Sequence, residues 1–203
     1  MDHASEYFLI IFYANNSLVT KRMILKSIRW EKLWASWLTL NTKGSATSNS
    51  GSVGGGGLIK DEKGDWVIGF ARKIRNTTSF MAELWALRDG LQLCLQIHAH
   101  FVIIELDAKA IVDAFNSQTY SNTIVSSVMD DCRHIVTRIP QKSFRHIYRK
   151  ANKCVDYLAR LGTLLESDFI VFSNLPVDLS SILEADANGL YVNRLCPESL
   201  FVV

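Results

Sequence analysis

The stretch "FVIIELDAKAIVDAF", residues 101–115, contains the two patterns that decide the fold of this 203-residue chain. Its first part, "FVIIEL", is a short continuous apolar run, typical of a parallel strand that is buried on both faces of a sheet. Its second part, "AKAIVDAF", has a helical pattern. A buried strand followed directly by a helix predicts the α/β class, with helices packed on a sheet.

The elements on either side extend this reading. Upstream, "LTLNT" alternates apolar and polar residues until Lys43 and Gly44 end the run, and "GGGGLIK", "DEKGD" and "WVIGFARKI" predict a hairpin, so three antiparallel strands open the domain. Leucines at three- and four-residue steps from Ser79 predict a long helix. Downstream, two helices, the strand "SFRHIYR" and the helix "NKCVDYLARLGTLL" complete a β-β-β-α-β-α-α-β-α order. This order predicts a five-stranded mixed sheet, first antiparallel and then parallel.

Composition restricts the class of protein. With 48% apolar and 21% charged residues, the chain is predicted to form one globular domain with appendages. The longest apolar run, Tyr7 to Tyr13, is far shorter than the roughly 20 residues that span a bilayer, and no basic signal start precedes it. The four cysteines form no C-x-x-C pair and are expected to be reduced core thiols. We therefore expect an intracellular protein, nuclear or cytoplasmic, without a membrane segment.

Charge is unevenly distributed along the chain. Residues 36–165 contain sixteen Lys and Arg against eleven Asp and Glu, whereas residues 166–203 contain one against six. The segment from Arg133 to Arg160 has eight basic residues and one acid, Asp156. Such a concentration predicts either a phosphate-binding surface or an ordinary solvated face, and charge alone does not separate the two.

Three carboxylates stand at positions that suit a common site. Glu83 lies near the start of the first long helix, where the helix dipole favours an anion. Asp107 ends the buried strand, at the carboxyl edge where open sheets bind ligands. Asp156 lies on the last helix, ten residues after His146. Taken singly, each has an ordinary structural role as a helix-start charge, a helix cap or a surface acid.

Four motifs in this order point to a family. The segments "NTKGS", "MAELWALRDGL", "IIELDAKAIV" and "HIYRKANKCVDYLARLG" resemble the ribonuclease H family, most closely its plant retrotransposon-derived domains. The resemblance covers about residues 36–165 and implies the ribonuclease H-like fold. It leaves residues 1–35 as a poorly defined N-terminal extension and residues 166–203 as an acidic tail that packs on the domain.

The resemblance implies an activity and a site. Members of this family bind two Mg²⁺ (or Mn²⁺) ions through four carboxylates and cut the RNA strand of an RNA/DNA hybrid. Glu83, Asp107 and Asp156 fall on three of the four metal-ligand positions. His146 falls on the histidine that aids product release or proton transfer.

Lys43 falls on the fourth metal-ligand position, where the family has an aspartate. We therefore expect metal binding and cleavage to be weakened or lost, because a lysine ammonium repels a divalent ion. Two arrangements of the side chain stay open: the ammonium pairs with Asp107 or Glu83 as a fixed cation, or it extends into solvent. Two other functions also stay open, a non-catalytic nucleic-acid-binding module and a retroelement remnant that merely folds.

The expected partner is an RNA/DNA hybrid or a related duplex, bound by a monomer mainly through its phosphates. The residues expected to bind it are Lys142, Arg145, Arg149, Lys153 and Asn152. In the tail, four apolar residues are expected to dock on the domain as an extended or short helical cover, namely Phe169, Val171, Leu175 and Leu179.

Overall fold

The computed structural model of the protein describes residues 7–14, 17–28, 35–46, 53–75, 77–116, 127–147, 152–187 and 192–197. In these ranges the strands are β1 (Tyr7–Ala14), β2 (Ser17–Ile28), β3 (Leu38–Ala46), β4 (Val53–Lys60), β5 (Trp66–Ile74), β6 (Phe101–Leu106), β7 (Gln141–His146), β8 (Phe169–Phe172) and β9 (Val192–Pro197). The helices are α1 (Ser79–Gln96), α2 (Lys109–Asn116), α3 (Ser127–Thr137), α4 (Lys153–Leu164) and α5 (Ser180–Ala187), and a 3-10 turn covers Val177–Leu179.

The larger sheet has the strand order β7-β6-β3-β4-β5-β8. Strands β3, β4 and β5 pair antiparallel, and β6 and β7 are added to β3 in parallel. The predicted α/β class and mixed sheet are confirmed, with the elements from β3 to α4 in the predicted order. The sheet has six strands rather than five, because β8 from the tail pairs antiparallel with the edge strand β5.

Strand β3 is longer than predicted. The sequence pattern ends at Lys43 and Gly44, yet β3 continues to Ala46 and pairs Lys43 with Gly56 of β4. The physical reason is that β4 supplies a hydrogen-bonding partner along the whole length of β3, which alternation of side chains cannot reveal. The parallel neighbour β6 ends earlier, at Leu106, so Lys43 lies beyond its last strand residue.

The predicted hairpin between β4 and β5 is also confirmed. The Asp61 carboxylate accepts hydrogen bonds from the backbone N–H groups of Lys63 and Asp65, each at 2.9 Å. Gly64 has a φ of 90°, a left-handed conformation that glycine adopts without strain.

The two faces of the sheet bury different helices. On one face, the α1 leucines Leu84, Leu87 and Leu91 are fully buried in the main apolar cluster with Leu40 of β3 and Ile104 of β6. On the other face, α4 packs on β4, where an added Cβ at Gly56 would lie 2.4 Å from the backbone nitrogen of Ala159. Glycine at this position therefore allows the backbones of α4 and β4 to approach closely.

Residues of the tail pack against the α4 face. Leu179 and Leu183 are buried in a cluster with Leu58 of β4 and Leu158 of α4. Of the four apolar tail residues singled out from the sequence, Leu179 is fully buried and Leu175 packs at the edge of this cluster. Phe169 stacks on Phe70 with ring centroids 5.5 Å apart and remains 37% exposed, and Val171 is 42% exposed.

The first part of the chain pairs with the last. Strands β1 and β2 form an antiparallel hairpin, and β2 also pairs antiparallel with β9. These three strands form a separate sheet in the order β1-β2-β9. Within residues 1–35 and the tail, strand pairing therefore links two segments that are far apart in the sequence.

The cysteines whose side chains the structure describes are buried and form no disulfide bonds. Cys94, Cys132 and Cys154 are buried free thiols, as predicted, while the side chain of Cys196 lies outside the described residues. Burial raises the pKa of the Cys94 thiol to about 12 and that of Cys132 to about 12.

Within the described part of the chain, none of the helices has the length and apolar character needed to span a membrane.

Candidate functional site

The candidate site lies where β3 runs parallel to β6. The pairing of Leu38 with Val102 continues in register to Asn41 and Glu105, a constant separation of 64 residues. Extending this register places Lys43 opposite Asp107, the first residue after β6. Because side chains alternate along a strand, Asn41 and Lys43 point to the same face, which is the face covered by α4.

The Lys43 ammonium lies between two carboxylates. Its Nζ donates a hydrogen bond to Asp107 Oδ2 at 2.5 Å and lies 4.0 Å from Glu83 Oε1. Lys43 is only 5% exposed, and the side chains of Asp107 and Glu83 are 11% and 12% exposed. Of the two arrangements left open by the sequence, the structure has the internal ion pair.

A second polar pair lies two residues earlier along β3 and β6. The Asn41 side-chain amide donates a hydrogen bond to Glu105 Oε2 at 2.8 Å, and Asn41 is 2% exposed. Sequence reasoning missed both residues as members of the site. The only signal for them was their 64-residue separation, which is the same as that of Lys43 and Asp107, and it has meaning only once the strand register is known.

Close packing of α1 on β3 brings Glu83 to this site. The helix begins at Ser79, and the Thr78 hydroxyl accepts a hydrogen bond from the backbone N–H of Met81 at 3.3 Å. An added Cβ at Gly44 would lie 2.5 Å from the backbone nitrogen of Glu83. Only a glycine at residue 44 allows the first turns of α1 to lie so near the strand.

The remaining predicted site residues are spread over β7 and α4. His146 is the exposed last residue of β7, paired in register with Leu106. Asp156 lies in the first turn of α4, and its Oδ2 forms an ion pair with Arg160 at 3.0 Å.

Asn152 lies just before α4 and is 3% exposed, with its side-chain amide donating to the Thr42 carbonyl at 3.5 Å. In this position Asn152 links α4 to β3 and exposes little surface, and its contact with nucleic acid stays a prediction.

Basic side chains on β7 and α4 are exposed. Lys142, Arg145 and Lys153 are exposed, and Lys142 donates to the Ile139 carbonyl at 3.0 Å. Arg149, which was predicted to act with them, lies outside the described residues. Lys142 and Arg145 provide positive charge along the edge strand β7, and Lys153 provides it at the start of α4.

The arrangement does not suit a divalent metal ion. In the ranges that the structure describes, no group of three or more His, Cys, Asp or Glu side chains could hold a metal ion. Lys43 also places a positive charge in direct contact with Asp107. A divalent ion here would have to displace this ammonium or lie next to it, and both raise its free energy.

Comparisons with known proteins agree with the fold. A family model described as reverse transcriptase-like matches residues 41–162. A protein of Arabidopsis thaliana, provisionally named a ribonuclease H protein, is 28% identical over 171 residues, which is 84% of this chain. The chain spans only 28% of the length of that relative.

Solved structures with similar folds come from several sources. The N-terminal ribonuclease H domain of Rv2228c from Mycobacterium tuberculosis superposes with a TM-score of 0.57 at 16% identity, covering 63% of this chain and 93% of that one. Ribonuclease H1 of Halobacterium salinarum has a TM-score of 0.54 at 17% identity, covering 62% and 96%. LC11 ribonuclease H1, solved in complex with an RNA/DNA hybrid, has a TM-score of 0.54 at 26% identity, covering 62% and 96%.

Proposed function

This chain belongs to the reverse transcriptase-like, ribonuclease H-like family, and from this premise we propose that it binds RNA/DNA hybrid duplexes without the metal-dependent cleavage that the family resemblance implies. Glu83, Asp107 and Asp156 then occupy three former metal-ligand positions. His146 occupies the position of the histidine that assists the reaction, and Lys43 replaces the fourth ligand.

The single observation that carries this proposal is the buried ion pair of Lys43 with Asp107. An ammonium about 4 Å from a divalent ion is repelled by roughly 8 kcal/mol at an effective dielectric of about 20. Asp107 already has the Lys43 ammonium as its partner. Mg²⁺ or Mn²⁺ would therefore be attracted less by the Asp107 carboxylate and would also be repelled by the ammonium. Cleavage that depends on two bound ions is therefore not expected.

Hybrid binding has separate support. The exposed residues Lys142, Arg145 and Lys153 suit contacts with phosphate oxygens, and such contacts need no metal ion. A hybrid duplex offers a wide, shallow minor groove with 2′-hydroxyls, so it is recognised by shape and backbone more than by base sequence. The similar LC11 ribonuclease H1 was solved with such a hybrid bound.

The test of lost cleavage is an assay on an end-labelled RNA/DNA hybrid in Mg²⁺ and in Mn²⁺, with the wild type beside Lys43→Asp. We expect no cleavage by the wild type and measurable cleavage by Lys43→Asp, because the variant regains a fourth carboxylate. The double variant Lys43→Asp with Asp107→Asn is the control for contaminating nuclease, since it should be inactive. Cleavage by the wild type at a rate near that of Lys43→Asp would overturn the proposal.

The same preparations test binding. Affinity of the wild type for an uncleaved hybrid should fall steeply as salt rises, because bound phosphates release counterions. Replacing Lys142 and Arg145 by Met should weaken binding and reduce the salt dependence. A wild type that binds no hybrid at low salt would instead identify a retroelement remnant that merely folds.

A further inference from the structure

We propose that the Lys43 ammonium is a resident cation that holds the carboxylates of Asp107 and Glu83 together, so that this domain is stable without any divalent metal. The inference concerns the stability of the domain and goes beyond the proposed function. It holds whether or not the chain binds nucleic acid.

The first argument is the charge of the cluster. Two carboxylates that are each nearly nine-tenths buried repel one another and are poorly solvated, so a cation between them lowers the free energy of holding them side by side. The Nζ of Lys43, at 2.5 Å from Asp107 and 4.0 Å from Glu83, supplies this cation from the chain itself. A lysine suits this role, because its compact ammonium is carried by a flexible stem. The stem lets the ammonium reach from β3 to the end of the paired strand β6.

The second argument is the enclosure of the lysine stem. Lys43 pairs with Gly56 across β3 and β4, and α4 packs on that face so closely that Gly56 has no room for a side chain. On the other face, Gly44 contacts the start of α1 in the same way. Asn152 further ties α4 to the Thr42 carbonyl. Packing on both faces leaves Lys43 5% exposed, so its ammonium is not free to swing into solvent.

The chain offers an exposed lysine–aspartate pair as a matched control. Lys109 contacts Asp113 at 2.6 Å one helical turn along α2, with side chains that are 69% and 59% exposed. Both pairs have the same chemistry and a similar length, and they differ in burial. An exposed pair of this kind contributes little to stability, because water screens its charges.

The experiment measures thermal melting of wild type, Lys43→Met, Lys43→Asp and Lys109→Met, each in EDTA and in millimolar Mg²⁺. Wild type should melt within about 1 °C of the same temperature in both buffers, since it has no metal ion to lose. Lys43→Met should melt lower in EDTA by at least about 6 °C, because the buried carboxylates lose their cation. Lys109→Met should melt like wild type.

Lys43→Asp adds a further carboxylate to the cluster and distinguishes the role of the charge from that of packing. It should melt lower than wild type in EDTA and recover by roughly 5 °C or more in Mg²⁺, through ordinary ligand linkage. Should this variant fail to fold, a direct Mn²⁺ titration of the wild type followed by electron paramagnetic resonance still tests the inference. The wild type should leave the spectrum of free Mn²⁺ unchanged.

Three results would overturn the inference. These are a wild type that gains thermal stability from Mg²⁺, a wild type that binds one Mn²⁺ ion tightly, and a Lys43→Met variant as stable as wild type in EDTA. None of these readouts involves nucleic acid or cleavage. A failed hybrid-binding assay therefore leaves the inference standing, and a failed melting test leaves hybrid binding standing.

Discussion

At the scale of single residues, the described part of the chain contains, besides the pair of Lys43, an ion pair in which the carboxylate is buried and the arginine is partly exposed. Arg72 Nη1 donates to both carboxylate oxygens of Asp89 at 3.0 and 2.8 Å, and the Asp89 side chain is 6% exposed. The Arg72 guanidinium also lies 4.9 Å from the centre of the Trp85 ring. Burial raises the pKa of Asp89 above its ordinary value, and the charge and hydrogen bonds of Arg72 oppose this rise.

The first prediction is that Arg72→Met destabilises the protein more at neutral than at mildly acid pH. A carboxyl whose pKa is raised by folding contributes stability that is fully present below its unfolded pKa near 3.8 and is lost as pH rises through the folded pKa. Removing Arg72 raises the folded pKa of Asp89 further, so the deficit of the variant grows toward neutral pH. We expect a loss of roughly 3 kcal/mol there, measured by urea denaturation.

The control for this prediction is Arg133→Met. Arg133 pairs with Asp130 at 3.2 Å on α3, where the Asp130 side chain is 60% exposed. Its loss should cost roughly 0.5 kcal/mol or less at either pH. An Arg72→Met deficit that is equal at both pH values would show that lost packing over Trp85, and not the charge of Asp89, decides the effect.

At the scale of elements, the close approach of α1 and α4 to opposite faces of the β3–β4 pair positions the candidate site. Gly44 on β3 meets the backbone of α1 at Glu83, and Gly56 on β4 meets the backbone of α4 at Ala159. Neither contact could form with a larger residue, because the missing Cβ atoms would lie against backbone that cannot move aside. Of the four consecutive glycines of β4, Gly54 and Gly56 therefore allow the backbone of α4 to approach the sheet closely.

The second prediction is that Gly56→Ala destabilises the domain by roughly 2 kcal/mol, because its Cβ would lie 2.4 Å from the Ala159 nitrogen. Its neighbour Gly55 is the matched control, since a Cβ there would lie 3.2 and 3.3 Å from the side chains of Ile74 and Ala86 and 3.6 Å from the Ala86 Cα, with no backbone atom as close as at Gly56. Gly55→Ala should change the free energy of unfolding by less than roughly 1 kcal/mol, because alanine loses less backbone entropy on folding than glycine. Urea denaturation of both variants measures the difference, and equal losses would contradict this account of α4 packing.

At the scale of the whole molecule, the acidic tail takes part in several structures at once. It supplies β8 to the larger sheet, Leu179 to the cluster beneath α4, and β9 to the sheet with β1 and β2. Asp178 also accepts a hydrogen bond from the Tyr157 hydroxyl of α4 at 2.8 Å, which raises the pKa of Tyr157. Deleting residues 166–203 would therefore uncover apolar surface as well as remove negative charge.

The third prediction separates these two effects and rests on the proposed hybrid binding. Glu166, Asp168 and Glu184 are exposed tail acids, and replacing them by Gln, Asn and Gln removes three negative charges without touching Leu179. If the tail competes with nucleic acid for the exposed basic residues Lys142, Arg145 and Lys153, hybrid affinity should rise roughly threefold or more at low salt and converge with wild type at high salt.

The matched control keeps the charge and changes only the shape, with Glu166→Asp, Asp168→Glu and Glu184→Asp in one variant. It should bind hybrid like the wild type at every salt concentration. Fluorescence anisotropy with a labelled hybrid measures both variants. Unchanged affinity of the neutralised variant, in a preparation that melts like wild type, would exclude electrostatic competition by the tail.

The sequence by itself determined the class of fold, the order of elements from β3 to α4 and the family. These features depend on local patterns: the apolar run at residues 101–106, the leucine spacing of α1, and the motifs that end in "VDYLARLG". Such patterns predict helices and strands because the spacing of apolar residues indicates which face of an element is buried. The family resemblance led to the expectation that Lys43 stands where the family has an aspartate, and it left two arrangements of the lysine side chain open.

Only the tertiary structure decided between those arrangements. Whether Lys43 reaches Asp107 depends on the register of β3 against β6, which joins residues 64 positions apart, and on the helices that close over both faces. Four other features could not be predicted from the sequence for the same reason: the Asn41–Glu105 pair, the burial of Asn152, the extension of β3 to Ala46 and the addition of β8 to the sheet. Each of these features depends on contacts between segments that are distant in the sequence. A local sequence pattern reports neither the register of two strands nor how closely two backbones approach.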